Sequence, residues 1–154
     1  MIRLNRLTDY AIVVLSQMGR DGRMRTAPQL AQETGVPLPT VSKLLKTLAI
    51  DGLIVSHRGA SGGYVLARPP EAITVTQIVS SLEGPIALTA CVEGSGDHCG
   101  VEPLCPMRGN WEKVNGAIRG ALDKLTLADM AMTAIPAAFA MPPRGPVTDA
   151  PQAR

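Results

Sequence analysis

At 154 residues, the chain leaves room for one domain, or one small domain plus appendages. It is 45% apolar and 18% charged, yet no apolar run is long enough to span a bilayer, which excludes a membrane-embedded bundle. Net charge is only +2, but residues 1–68 hold nine Lys/Arg against four Asp/Glu while residues 69–154 hold six against nine. A basic first part suits a polyanion partner. Aromatics make up 3%, so aliphatic side chains and Met must fill the core. The start, Met1-Ile-Arg-Leu-Asn-Arg6, lacks the apolar stretch and small-residue cleavage site of a signal peptide, so the expected location is the cytoplasm. Thiols stay reduced there.

Apolar residues Leu7, Tyr10, Ala11, Val14, Leu15 and Met18 recur at helical spacing and predict a first helix, with Thr8 as N-cap and Gly19 at its end. Ala27, Leu30 and Ala31 form a second, shorter stripe closed by Gly35. After Gly35-Val36-Pro37 a third stripe follows, Val41, Leu44, Leu45 and Leu48, ending at Gly52. Two short helices joined by a tight glycine-containing turn form a helix-turn-helix pattern. The second of them, expected over Pro39 to Asp51, would lie in the major groove. Opposite its apolar face stand Pro39, Thr40, Ser42, Lys43, Lys46 and Thr47, whose hydroxyls and ammonium groups suit base edges and phosphates. A solvated helix face has the same composition, and for Lys43 alone that plainer reading would hold.

Residues 53–58 and 64–67 are β-rich runs around Gly59-Ala-Ser-Gly-Gly63, which predicts a hairpin. A hairpin directly after a helix-turn-helix is a wing, and Arg58 stands at its tip, where minor-groove potential attracts an arginine. Pro69-Pro70 closes this unit. Thr74–Glu83 predicts a further helix, stopped by Gly84-Pro85. Beyond it, Trp111, Val114, Ile118, Leu122 and Leu125 recur every three or four residues, in a helix expected to begin at Pro106. That seam reads as a dimerisation face, and packing back onto its own domain fits the periodicity equally. From Pro136 onward, Pro, Gly and Ala predict a disordered tail.

Three cysteines, the only ones in the chain, occupy one stretch: Cys91, Cys99 and Cys105, spaced C-x7-C-x5-C. Gly94, Gly96, Gly100 and Pro103 let that loop bend. Three thiolates on one flexible loop read as a metal or iron–sulfur site. With His98 or Asp9 they would also satisfy tetrahedral zinc, although structural zinc sites pair their ligands at shorter spacings. A thiol redox switch without metal is a further possibility. For an enzyme the residues are missing: there is no phosphate loop, HExxH or C-x-x-C, and only His57 and His98 are available as histidines.

Arg3-Leu-Asn-Arg-Leu-Thr-Asp-Tyr-Ala11, the wing Arg58-Gly-Ala-Ser-Gly-Gly-Tyr64 and the three-cysteine loop carry a resemblance. Over about residues 1–130 the chain resembles the winged-helix regulator family that includes IscR and NsrR (the Rrf-two family). Within that family, Leu82–Cys91, Asn110-Trp111 and Leu127-Ala-Asp-Met130 are most similar to the branch regulating the SUF iron–sulfur assembly genes. The resemblance implies a mainly α fold with a β-hairpin wing, a winged helix-turn-helix plus a long dimerisation helix. Expected divisions are a DNA-binding domain over 1–70, a cluster loop and dimerisation helix over 71–130, and the tail over 131–154. It further implies a homodimer on a double-stranded operator of imperfect palindromic sequence. A 2Fe–2S or 4Fe–4S cluster on Cys91, Cys99 and Cys105 would set operator affinity. The IscR-like pattern has a histidine as fourth ligand where this chain has Arg108, which cannot ligate iron while protonated. Another branch uses an aspartate at the start of helix one, supplied across the dimer, and Asp9 matches it. Asp9 reads first as a first-turn acid complementing the helix dipole, and His98 is a third candidate.

Overall fold

The structure, a computed structural model, describes residues 3–96, 100 and 105–131. Cys99, His98 and the tail from residue 132 onward therefore lie outside the described residues. Element order is α1 (Arg6–Gly19), α2 (Ala27–Thr34), α3 (Leu38–Ile50), β1 (Ile54–His57), β2 (Gly63–Leu66), a 3-10 turn (Pro70–Ala72), α4 (Val75–Glu83), α5 (Arg108–Asp123) and α6 (Leu127–Met130). The architecture is mostly helical with one two-stranded antiparallel hairpin, a winged helix-turn-helix as the sequence predicts.

The first three helices form where the apolar stripes predict them, because each stripe buries on one core. Ala11, Val14, Leu15, Met18, Leu30, Val41, Leu44, Leu45 and Leu48 are all at most 1% exposed. Each large side chain removed from water contributes about 1.5–3 kcal/mol. Aliphatics and one Met fill this interior, while Tyr10 and Tyr64 pack only at its edge. Ile73, Ile78 and Leu127, from beyond the expected boundary at residue 70, join the same cluster. Leu127 arrives through backbone pairing: its N–H donates to Ile73 O at 2.8 Å, and the Val75 N–H donates to Leu125 O at 2.8 Å.

Two helix starts differ from expectation. The N-cap of α1 is Asn5, not Thr8: the Asn5 side chain accepts the Thr8 N–H at 2.9 Å. Thr8 is instead fully buried, and its hydroxyl donates to the Glu83 carboxylate at the end of α4. Glu83 also accepts the Asn5 N–H at 2.9 Å, so a distant acid serves the positive end of α1. Helix α5 begins at Arg108, two residues past the expected Pro106, and Met107 caps it without a side-chain hydrogen bond. It ends at Asp123, which leaves Leu125 outside the helix.

Candidate nucleic-acid interface and cysteine loop

Helix α2 opens with a reciprocal capping box between Thr26 and Gln29 and closes on Gly35, whose φ of 74° and N–H bond to Ala31 O (2.9 Å) form the left-handed cap of the turn. Pro37 follows as the N-cap of α3. This turn aims α3 with Val41, Leu44, Leu45 and Leu48 inward. Pro39, Ser42, Lys43 and Lys46 are exposed on the outer side, and Thr40 and Thr47 are half-buried. Thr47 donates its hydroxyl proton back to Lys43 O at 3.3 Å, which leaves it acceptor capacity only.

The wing is β1 paired with β2 from Ile54↔Leu66 to His57↔Gly63. Arg58 is exposed directly after β1, and the turn is closed by the Gly62 N–H donating to Gly59 O at 3.0 Å. Among the described residues no carboxylate lies within ion-pair distance of Lys43, Lys46 or Arg58. Their charge is uncompensated and open to a polyanion.

Sequence reasoning missed Arg25, which is 8% exposed and bonded on all sides. Its guanidinium grips Asp21 with two parallel bonds (2.8 and 3.0 Å) and donates from Nε to Glu33 at 2.7 Å. The Arg25 side chain, and after it the Arg23 amide, holds Asp21 down to a pKa of about 2. Glu33 is lowered chiefly by the Gln17 amide, with Arg25 also contributing. In sequence Arg25 was one of several basic residues, and nothing local marked it for burial.

Toward the cysteine loop the packing changes. Asn115 of α5 is fully buried and holds the chain leaving α4: its Nδ2 donates to Ile86 O at 2.9 Å, and its Oδ1 accepts the Leu88 N–H at 3.2 Å. The Glu93 N–H donates to the Glu112 carboxylate at 3.2 Å. Cys91 and Cys105 are free thiols, both half-buried, and Cys91 Sγ lies 3.2 Å from Thr89 Oγ1. Two accessible thiols with a third cysteine on the same loop make a soft donor set that fits an iron–sulfur cluster. Among the described residues no three His, Cys, Asp or Glu side chains gather into one group. Asp9 is exposed on the first turn of α1 and lines an open groove of about 820 Å³ with Arg3, Arg6, Ile12 and Met130. Of the α5 seam, Trp111 and Val114 are 40% and 43% exposed, and Ile118 and Leu122 are half-buried.

Residues 4–133 match the family model Rrf2, described as an iron-dependent transcriptional regulator. The chain belongs to the Rrf2 family. An HTH-type transcriptional regulator of Mycobacterium tuberculosis is 31% identical over 137 residues, covering 88% of this chain and 84% of that one. An rrf2-like HTH-type regulator of Rhodobacter capsulatus is 32% identical over 139 residues, covering 84% and 92%. Among solved structures, CymR (YrzC), the global cysteine regulator of B. subtilis, superposes with a TM-score of 0.62 at 30% identity, covering 85% of this chain and 97% of that one. T. potens IscR gives 0.61 at 29% identity, covering 84% and 85%. These Rrf2 relatives are transcriptional regulators, not enzymes, and this chain is a DNA-binding transcription regulator of the same kind. Among the described residues no helix is long and apolar enough to cross a membrane.

Proposed function

We propose that this Rrf2 protein is a cytoplasmic homodimer whose cysteine loop holds an iron–sulfur cluster and whose operator affinity follows the state of that cluster. The observation that carries the proposal is the presence in one chain of two features. One is an uncompensated basic face on α3 and the wing; the other is a pair of free thiols on one loop. Pro39, Thr40, Ser42, Lys43, Lys46 and Thr47 meet the major groove, and Arg58 enters the adjacent minor groove. Cys91, Cys99 and Cys105 hold the cluster, with Asp9 supplied across the dimer as the fourth ligand. The cluster supplies a redox- and iron-dependent anchor at that loop. Pairing of the Trp111–Leu122 seam between subunits covers apolar surface that one chain leaves in water. A two-fold dimer then reads an imperfect palindrome with half-sites about 34–36 Å apart. Target genes are those of SUF iron–sulfur assembly, on the likeness of Leu82–Cys91 and Leu127–Met130 to that branch.

Anaerobic purification tests the cofactor directly. Visible absorption with iron and sulfide in equal amounts is expected, and Cys91→Ala, Cys99→Ala and Cys105→Ala should each lose it. Colourless protein carrying zinc would replace the cluster with a structural metal. Colourless, metal-free protein whose DNA affinity changes on thiol oxidation would make the loop a redox switch. That reading is favoured by the likeness to CymR, the global cysteine regulator of B. subtilis, and to Staphylococcus aureus CymR, which is solved in an oxidised form.

A further inference from the structure

We infer that Arg25 is the positioning residue of the wing: it touches no DNA, and it fixes where Arg58 sits relative to α3. The inference rests on the wing contact proposed above and adds the device that aims it.

A two-stranded hairpin with four residues per strand is marginal by itself in water and needs a third strand or a packing partner. Here the third strand is a single residue. Arg25 donates its N–H to Tyr64 O at 3.1 Å and accepts the Tyr64 N–H at 2.8 Å, one antiparallel rung on the open edge of β2. The neighbouring position is shaped for this approach. A Cβ on Gly63 would lie 2.8 Å from Met24 Cγ and 2.9 Å from Arg25 O, so any larger residue there would push the wing off its seat.

The side chain of the same residue anchors the rung. Four hydrogen bonds leave the guanidinium: two to Asp21, one to Glu33 and one to Arg23 O at 3.3 Å. Asp21 belongs to the connection between α1 and α2, and Glu33 to α2. Glu33 also accepts from Gln17 of α1 at 2.7 Å. Arg25 thus ties β2 to both helices that carry α3. Because the side chain is nine-tenths covered, its geometry is held by packing as well as by charge. Lysine could keep one of these bonds but not the planar fork that spans both acids.

A double-mutant cycle on DNA separates aiming the wing from merely stabilising the domain. The probe is a duplex selected from a random-sequence library by the full-length wild-type protein, at fixed salt. Arg58→Ala should bind about tenfold more weakly, and Arg25→Lys should lose about the same. The double variant should be no weaker than Arg58→Ala, because a wing without its arginine gains nothing from being aimed. Hydroxyl-radical footprints of Arg25→Lys should lose protection in the minor groove beside the half-site while α3 protection stays. If Arg25→Lys does not fold, Asp21→Asn in the same cycle reads the same coupling, since it removes one jaw of the clamp without stranding the guanidinium. Losses that multiply to about a hundredfold in the double variant would reduce Arg25 to a structural role and leave the wing contact standing. Wild-type affinity for Arg58→Ala would overturn the wing contact and this inference together.

Discussion

The winged unit and the segment from Pro85 through α5 are held together in different ways. In the first, every helix turns an aliphatic face onto one core, and with Ile78 of α4 and Leu127 of α6 fifteen buried residues form a continuous cluster. In the second, Val92 is the one apolar side chain buried between Pro85 and α5 among the described residues, and Asn115 holds the loop by two polar bonds. The basic reading surface therefore stands on a scaffold that a single chain completes. The cysteine loop and the Trp111 seam stand on one with few buried apolar side chains among the described residues. For the sensor proposed above that division would be useful, because a segment that answers to cofactor and partner needs little stability of its own.

The contrast can be broken most sharply in the core. Leu44→Ala should cost about 2–5 kcal/mol in denaturant unfolding, since Leu44 is 1% exposed and α3 cannot collapse into the space. Asn115→Ala should cost less, about 1–3 kcal/mol, from the unpaired Ile86 carbonyl and Leu88 N–H. Its mark should be local: hydrogen exchange should accelerate at residues 86–88 and remain slow in α1 and α3. Equal acceleration everywhere would mean that the two regions unfold as one.

Acid should act on the winged unit through the Arg25 clamp. Asp21 has a folded pKa of about 2, below its unfolded value of about 3.9, and Glu33 is lowered as well. A carboxylate with a depressed folded pKa contributes stability that is complete above the unfolded value and lost as pH falls through the folded one. Melting temperature should therefore fall between about pH 4 and pH 2, and Asp21→Asn should flatten that slope. Both carboxylates are more than a third exposed, so solvent screening keeps the effect below that of the core. Smallest of all for stability is Lys46→Ala, expected within about 0.5 kcal/mol of wild type. On DNA the same change should weaken binding and lower the salt slope by about 0.9 for one lost phosphate contact. An unchanged slope would remove Lys46 from the interface.

The helix-turn-helix and its wing were legible because their signals are local. Val41, Leu44, Leu45 and Leu48 repeat within one helix, and Gly35 sits where a left-handed cap is needed. Thr8 shows where that kind of reading stops. Asn5 and Thr8 both carry capping side chains one turn apart, and the choice between them was made by Glu83, 75 residues further on. Arg25 was equally illegible, since its backbone partner Tyr64 lies on the wing and one of its acids, Glu33, on α2. Helix α5 was visible as a stripe, but Asn115 inside it carried no sign that it would be buried.

By itself the sequence determined which segments are helical, where the wing turns, which faces are apolar and which loop carries thiols. Each of these follows from residue spacing over a turn or two of chain. Tertiary structure alone decided that Arg25 would be buried, that Glu83 would serve the start of α1, and that Leu127 would return to fill the core. Those outcomes depend on groups far apart in sequence meeting at hydrogen-bond or packing distance, and a local period contains no record of such meetings.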